Sequence, residues 1–134
     1  MLNPLGDMNK VFALPAYDDR FHISYPVAQY DHDEGNAISG GYEYTGTEIP
    51  ALRGKFLFGD IPTGRLLYID LKEIKPGIQV PVKEWKVSID GKVTSLVEIC
   101  GSKRVDLHFG KDAAGELYIM TKADGKLYRL AAAK

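Results

Sequence analysis

The chain has 134 residues, of which 45 % are hydrophobic and 26 % are charged, a mixture typical of one globular domain. Its formal net charge of −1, with scattered Lys and Arg, excludes a basic surface for nucleic acid or an anionic membrane. The single Cys100 excludes an internal disulfide, and no apolar run approaches the roughly 18 residues of a membrane span.

The chain opens with a segment that has no regular hydrophobic period. Residues 1–21 contain Pro4, Gly6 and Pro15, which predict a loop or a lead-in arm. The start, MLNPLGDMNK, has no basic stretch followed by an apolar one, so it does not resemble a secretory signal.

The rest of the chain is rich in strand and turn signals. SYPVAQY (24–30) predicts an edge strand or a strand start, because it contains proline. Asp90-Gly91, between IQVPVKEWKVSI and KVTSLVEI, predicts a two-residue hairpin of residues 78–89 with 93–99. Further strands are predicted in AISGGYEY, KFLFG, GRLLYIDL, RVDLHF, ELYIMT and KLYRL. Eight to ten strands and no long helical stripe predict an all-β protein.

One strand-turn-strand pattern occurs twice. GKFLFGDIPTGRLLYIDL (54–71) and GELYIMTKADGKLYRLAA (115–132) start 61 positions apart. Such a period in an all-β chain is typical of propeller blades. We therefore predict two four-stranded antiparallel sheets, residues 24–71 and 93–131, packed face to face, with Gly64 and Gly125 at equivalent places. A sandwich or barrel with two similar hairpins is the alternative.

Several motifs resemble the closing part of the glucose/sorbosone dehydrogenase family, the soluble quinoprotein sugar dehydrogenases and their relatives. They are Ile38-Ser39-Gly40-Gly41 with Tyr42 and Tyr44, Leu52-Arg53-Gly54-Lys55, Phe58-Gly59-Asp60, and the block from Val105 to Leu130. The resemblance covers residues 30–131. It implies a six-bladed β-propeller with pyrroloquinoline quinone (PQQ), Ca²⁺ and an aldose near its axis, and a periplasmic or secreted location.

The resemblance also implies a division of the chain and a partial cofactor site. Residues 1–21 would be the lead-in arm, 22–72 one blade, and 73–134 the final blade with an extra hairpin. The family surrounds the quinone carboxylates with basic side chains, which Lys103 and Arg104 match. The second family position falls in the loop at residues 61–63, Ile-Pro-Thr, which has no basic residue.

These features predict a C-terminal part of such a dehydrogenase, a partial propeller that is inactive alone. No residue corresponds to the family's proton-abstracting histidine or its Ca²⁺ ligands, so we assign no catalytic or metal residue. The expected partners are the remaining blades or further copies, three of which would restore six blades, with a sugar as a possible ligand. The alternatives are a non-catalytic carbohydrate- or partner-binding propeller module and an oligomer that rebuilds an active enzyme.

Other candidate residues favour structural roles. DHDEG (31–35) resembles the start of a Ca²⁺ loop but lacks the later glycine and glutamate, so a solvated turn is favoured. Asp60 and Asp106 are expected to tie loops by accepting backbone hydrogen bonds. The repeated tyrosines are expected to pack between blades, and no histidine has a partner at useful spacing. These residues are Tyr68, Tyr118 and Tyr128, and His22, His32 and His108.

Overall fold

The structure, a computed structural model, describes residues 20, 22 and 24–133. The predicted lead-in arm lies outside the described residues, apart from Arg20. The described residues form nine strands, the helix α1 and two single-turn 3-10 helices, so the all-β class is confirmed. The strands are β1 (Ile38–Glu43), β2 (Lys55–Asp60), β3 (Leu66–Asp70), β4 (Lys83–Trp85), β5 (Val87–Ile89), β6 (Lys92–Thr94), β7 (Leu107–Lys111), β8 (Leu117–Thr121) and β9 (Lys126–Arg129). The helix α1 spans Leu96–Cys100, and the 3-10 turns span Pro50–Leu52 and Leu71–Glu73.

The strands form three antiparallel sheets, ordered β1-β2-β3-β4, β5-β6 and β7-β8-β9. The prediction of two four-stranded sheets is therefore wrong for the second sheet, which has three strands. It is also wrong about the first sheet. The fourth strand there is β4, which lies in the range 73–134 assigned to the final blade. Residues 24–30, all described, form no strand. Within the described residues, no sheet closes into a barrel or a ring.

The hairpin at Asp90-Gly91 is confirmed for Val87–Ile89 with Lys92–Thr94, but its predicted extension over residues 78–86 is wrong, because Lys83–Trp85 pair with β3. Both turn residues have positive φ, 52° and 77°, as a tight hairpin turn requires. Pairing ends at Thr94, because Ser95 begins the helix α1 instead of extending β6. The Ser95 side chain accepts a hydrogen bond from the Glu98 amide, and the Glu98 carboxylate accepts from the Ser95 amide, a capping box. The predicted strand over residues 95–99 is wrong for this reason.

The sequence repeat is a repeat of strand register. In the first sheet Leu57 pairs with Tyr68, and in the second sheet the residues 61 positions later, Tyr118 and Arg129, pair in the same way. The neighbouring pairs Phe58↔Leu67 and Gly59↔Leu66 correspond likewise to Ile119↔Tyr128 and Met120↔Leu127. The two hairpins β2-β3 and β8-β9 therefore have the same register and the same turn length.

The two hairpin turns share one conformation. Gly64 has φ 67° and Gly125 has φ 66°, which confirms that the two glycines occupy equivalent places. In the first turn the Thr63 hydroxyl donates to Asp60, at 2.5 Å. In the second turn the Thr121 hydroxyl donates to Asp124. The same two positions are thus joined by the same bond, with threonine and aspartate exchanged.

The two larger sheets share one hydrophobic core. Leu57 and Leu66 of the first sheet pack with Leu107, Leu117 and Ile119 of the second. Tyr68 and Tyr128 pack against this core, as predicted. Tyr118 points to the opposite face of its sheet, where its hydroxyl donates to Asp112 at 3.1 Å. The other face of the first sheet carries a second cluster, Phe58, Leu67, Ile69 and Val80.

Candidate functional site

The two chain segments expected near a quinone lie side by side. The Val105 amide donates to the Pro62 carbonyl at 2.8 Å, and the Leu107 amide donates to the Ile61 carbonyl at 2.9 Å. The loop that follows β2 therefore contacts the residues that lead into β7. The structure thus places Lys103 and Arg104 next to the loop that lacks a basic residue.

Lys103 and Arg104 are both exposed. The Arg104 Nε atom lies 2.8 Å from Asp106 Oδ1, so the guanidinium forms an ion pair with Asp106. The Arg104 side chain is nevertheless 69 % exposed. Neither residue lines the cleft around Tyr30 or the cleft around Trp85. These two cations alone do not form a cradle for a tricarboxylate quinone, and their assignment to the cofactor stays a prediction.

Asp60 is a structural carboxylate. Its Oδ1 atom accepts hydrogen bonds from the amides of Asn36, at 2.9 Å, and Ala37, at 2.7 Å, and its Oδ2 atom accepts from Thr63. Burial opposes the charge, but these bonds outweigh it and lower the pKa of Asp60. The prediction that Asp60 ties loops is confirmed.

Asp106 does not tie a loop through its side chain. Its buried Oδ1 atom has no aligned hydrogen bond in the described part of the chain, only the ion pair with Arg104. Its backbone carbonyl makes the loop contact, because it accepts from the Lys122 amide at 3.3 Å. The prediction that the Asp106 side chain ties a loop is therefore wrong, because the backbone carbonyl makes the contact.

The DHDEG segment is a closed turn. Asp31 Oδ1 accepts from the amides of Asp33, at 3.0 Å, and Glu34, at 3.3 Å. The described residues contain no group of three or more His, Cys, Asp or Glu side chains arranged to hold a metal ion.

The described histidines lie at the surface, and Cys100 lies beside the core. The three histidines are exposed, and His108 points away from the core, as its alternation predicts. Cys100 is half-buried and packs against the shared core. Burial raises the pKa of its thiol, although a hydrogen bond with Thr121 opposes the rise, so the thiol stays protonated at neutral pH.

Sequence reasoning missed a cleft on the side of the first sheet that faces away from the second. It has a volume of about 420 Å³. Its lining residues are Tyr30, Asp33, Glu34, Arg65, Leu67, Val82 and Glu84. They come from Tyr30 and the DHDEG turn that follows it, from β3 and the residue before it, and from β4 and the residue before it. No local motif joins these segments, so the sequence carries no signal for the cleft.

Arg65 holds the cleft together. Its Nε and Nη2 atoms lie 3.2 and 3.1 Å from Glu84 Oε2, and its Nη1 atom donates to the Glu34 carbonyl. Lys86 Nζ lies 2.8 Å from the other oxygen of Glu84. The hydrogen bond from Lys86 lowers the pKa of Glu84 against the effect of burial, and Arg65 adds to the lowering. Glu84 is therefore a fully paired carboxylate.

Tyr30 is the least satisfied polar group of the cleft. Its buried hydroxyl has no hydrogen-bond partner among the described residues. Burial raises the pKa of Tyr30, and the Asp60 carboxylate adds to the rise, so the hydroxyl keeps its proton. The cleft is therefore lined by an internally neutralised ion pair, and the unpartnered hydroxyl of Tyr30 is buried beneath it.

Across residues 20, 22 and 24–133, no helix has the length and apolar character needed to cross a membrane. No family model matches the chain, and no solved structure matches it.

Proposed function

We propose that this chain forms two adjacent blades of a β-propeller of the glucose/sorbosone dehydrogenase type, the family whose closing blades its motifs resemble. The observation that carries the proposal is the repeated strand register of the two sheets, because blades of one propeller are copies of one unit.

The way the two sheets pack supports a ring rather than a sandwich. Leu66 faces the shared core and is 3 % exposed, whereas its counterpart Leu127 points away from that core and is 61 % exposed. Phe58 lies outside the shared core, whereas its counterpart Ile119 lies within it. Opposite faces of the two units therefore meet, and such head-to-tail packing generates rings when its rotation closes.

The open side of the second sheet is where a neighbouring unit would pack. In the second sheet, Tyr118, Met120 and Leu127 lie on one face. Their counterparts in the first sheet, 61 positions earlier, are Leu57, Gly59 and Leu66, and the first sheet buries that face. Among the described strands, none lies beside β9 as β4 lies beside β3. The proposed partners are the remaining blades or further copies of this chain, as the resemblance implies.

The chemistry of the whole protein enters through the resemblance alone. A family member oxidises an aldose with PQQ and Ca²⁺ near the propeller axis, in the periplasm or outside the cell. We propose that this chain supports the cofactor site, with Lys103 and Arg104 near the quinone carboxylates. Without further blades it should not oxidise an aldose. The second candidate, a non-catalytic carbohydrate- or partner-binding propeller module, is favoured by the missing basic residue beside Pro62.

Light scattering coupled to gel filtration tests the assembly. We expect the wild-type chain to self-associate and Leu127→Lys to shift it toward the monomer, because a charge on the docking face disfavours burial. Val93→Lys is the matched control, since Val93 is 66 % exposed on the separate β5-β6 hairpin. A wild-type chain that stays monomeric, or an equal effect of both variants, contradicts the proposal.

Equilibrium dialysis against PQQ tests the cofactor part. We expect the self-associated wild-type chain to bind PQQ. The double variant Lys103→Ala/Arg104→Ala should bind PQQ more weakly. Lys72→Ala/Lys75→Ala, a change of equal charge at exposed residues, serves as the control. Unchanged binding in the first variant removes both residues from the site.

Turnover of an aldose by the isolated chain with PQQ, Ca²⁺ and a dye acceptor contradicts the supporting role.

A further inference from the structure

Aspartate is followed by glycine at two positions of the sequence, and in both cases lysine comes next. Asp90-Gly91-Lys92 connects β5 to β6, and Asp124-Gly125-Lys126 connects β8 to β9. Aspartate isomerises most readily before glycine, because glycine has no side chain to hinder attack by its own nitrogen. The identical tripeptides give the two aspartates closely similar intrinsic reactivity. A difference between their rates in the folded chain therefore reports their surroundings.

The reaction requires only the aspartate, the nitrogen of the next residue and water. The glycine nitrogen attacks the side-chain Cγ atom, a C–N bond forms, and the amide proton leaves with the carboxyl hydroxyl as water. The product is a cyclic succinimide. Water then adds to one of its carbonyls and breaks one C–N bond. Opening at the former backbone carbonyl gives isoaspartate, whose chain runs through Cβ and Cγ and whose mass is unchanged.

The Asp124 carboxylate is held back from this reaction. Its Oδ1 atom accepts hydrogen bonds from the Thr121 hydroxyl and from the Lys126 amide, the latter at 3.3 Å, and its Oδ2 atom accepts from the Tyr128 hydroxyl at 2.5 Å. The side chain is only 10 % exposed. Attack by the Gly125 nitrogen requires the carboxyl group to turn, which breaks these bonds. The same bonds lower the pKa of Asp124 to about 2, and the resulting carboxylate loses its oxygen less readily than the neutral acid.

Asp90 has none of these restraints. Within residues 20, 22 and 24–133, its side chain is exposed and forms no hydrogen bond or ion pair. Gly91 is exposed as well, and a Cβ there would meet nothing within 4 Å, so water reaches the turn. The strands β5 and β6 form a separate two-stranded sheet. The extra backbone atom of isoaspartate therefore changes this hairpin without breaking a strand pair of the two larger sheets.

We propose that Asp90 isomerises spontaneously to isoaspartate in the folded chain, whereas Asp124 is protected by its hydrogen bonds. The product exposes a free carboxylate at the tip of the β5-β6 hairpin. This group is the substrate of isoaspartyl O-methyltransferases, which transfer the methyl group of S-adenosylmethionine to it and release S-adenosylhomocysteine. The modification does not depend on the propeller assignment, because both turns lie within single hairpins.

Peptide mapping of the full chain after prolonged incubation in mildly acidic buffer tests the proposal. Trypsin releases the two aspartates on separate peptides, residues 87–92 and 123–126, and isoaspartate changes the retention of a peptide without changing its mass. We expect isomerisation at Asp90 to be roughly tenfold faster than at Asp124, whose hydrogen bonds to a charged group must break first. In urea the two rates should be similar. Equal rates in the folded chain overturn the proposal, and so does isomerisation of Asp90 in urea alone.

Two variants, incubated below their melting temperatures, test the cause of the difference. Tyr128→Phe removes one hydrogen bond to Asp124 and should speed isomerisation there roughly fivefold. Asp90→Gly is the control, because Gly-Gly also suits this turn and has no carboxyl group. It should abolish methyl transfer from labelled S-adenosylmethionine to the incubated chain and leave the rate at Asp124 unchanged. An unchanged rate at Asp124 in Tyr128→Phe overturns the proposal, and so does methylation of Asp90→Gly at the wild-type level.

Discussion

The Tyr44 hydroxyl donates a hydrogen bond to Glu116 Oε2 at 2.6 Å, joining the residue after β1 to the residue before β8. The other oxygen of Glu116 accepts from the amides of Thr47, at 2.8 Å, and Glu48, at 3.1 Å. The same hydroxyl accepts from the Ile49 amide at 2.8 Å. One buried hydroxyl and one carboxylate therefore fasten the loop after β1 to the second sheet.

Tyr44→Phe should lower the free energy of unfolding by about 1–3 kcal/mol, because it leaves the Ile49 amide and a Glu116 oxygen without a partner. Urea unfolding followed by circular dichroism measures the change. Tyr25→Phe, at an exposed tyrosine, is the control and should have no effect. Equal stability of the two variants would show that the loop is held by other contacts.

Glycine at position 41 should be essential and glycine at position 40 dispensable. β1 has a bulge between Ser39 and Tyr42, where a Cβ on Gly41 would overlap the Leu57 carbonyl oxygen, while one on Gly40 would meet nothing within 4 Å. Gly41→Ala should cost on the order of 3 kcal/mol, and Gly40→Ala should change stability by no more than about 0.5 kcal/mol. Thermal unfolding of the two variants compares them directly. Similar melting temperatures would contradict the close approach of β1 and β2.

The equivalent glycines Gly64 and Gly125 should differ in their tolerance of alanine. Both have positive φ, which costs an L-residue about 1–2 kcal/mol. A Cβ on Gly125 meets nothing, whereas one on Gly64 would lie 2.9 Å from a Val105 methyl group. Gly64→Ala should therefore cost about 1–3 kcal/mol more than Gly125→Ala, through overpacking. Chemical denaturation gives both values, and an equal cost would place Val105 outside contact with the first turn.

Asp124 should make stability depend on pH at both extremes. Hydrogen bonds from Thr121 and Tyr128 lower the pKa of Asp124 from 3.8 to about 2, so its stabilisation is complete above about pH 4 and is lost as the pH falls toward 2. Burial and the bond to Asp124 raise the pKa of Tyr128 from 10.0 to about 12. That stabilisation is complete below about pH 10 and is lost as the pH rises toward 12.

Asp124→Asn should reduce both slopes, because it removes the charge that the two bonds stabilise. The measurement is the free energy of unfolding from urea titrations at pH 2–5 and pH 9.5–12. Glu43→Gln, at an exposed carboxylate at the end of β1, is the control. Wild-type slopes in Asp124→Asn would assign the pH dependence to other groups.

The sequence predicted the fold best where neighbours in the chain are also neighbours in space. The hairpin at Asp90-Gly91, the equivalence of Gly64 and Gly125, and the alternation around His108 depend only on local periodicity and turn geometry. The sequence predicts a strand where the helix α1 forms, because the β-branched Val97 and Ile99 favour strands. The capping box of Ser95 and Glu98 and the following Gly101 were visible signals for it.

These local signals do not predict which strands pair when they are far apart in the chain. β4 joins the first sheet across the 3-10 turn at Leu71–Glu73, and only tertiary packing decides whether a three-residue strand pairs with β3 or with a later strand. In the segment predicted as a strand at residues 24–30, Val27 accepts a single hydrogen bond from the Val80 amide. The cleft was missed for the same reason, because Tyr30, Arg65 and Glu84 meet only in the folded chain.

The exchanged threonine and aspartate of the two turns have a consequence for how the chain folds. Each pair spans three positions and closes its own hairpin without help from the other, so the chain carries two independent nucleation sites, and hairpins of this kind form within about 10 μs. The bonds between the two units span far longer loops, and their closure should limit the folding rate. Pulsed hydrogen exchange during refolding should therefore protect the Gly64 amide, bonded to Asp60, before the Val105 amide, bonded to Pro62. Simultaneous protection would mean that the two hairpins and their docking form in one step.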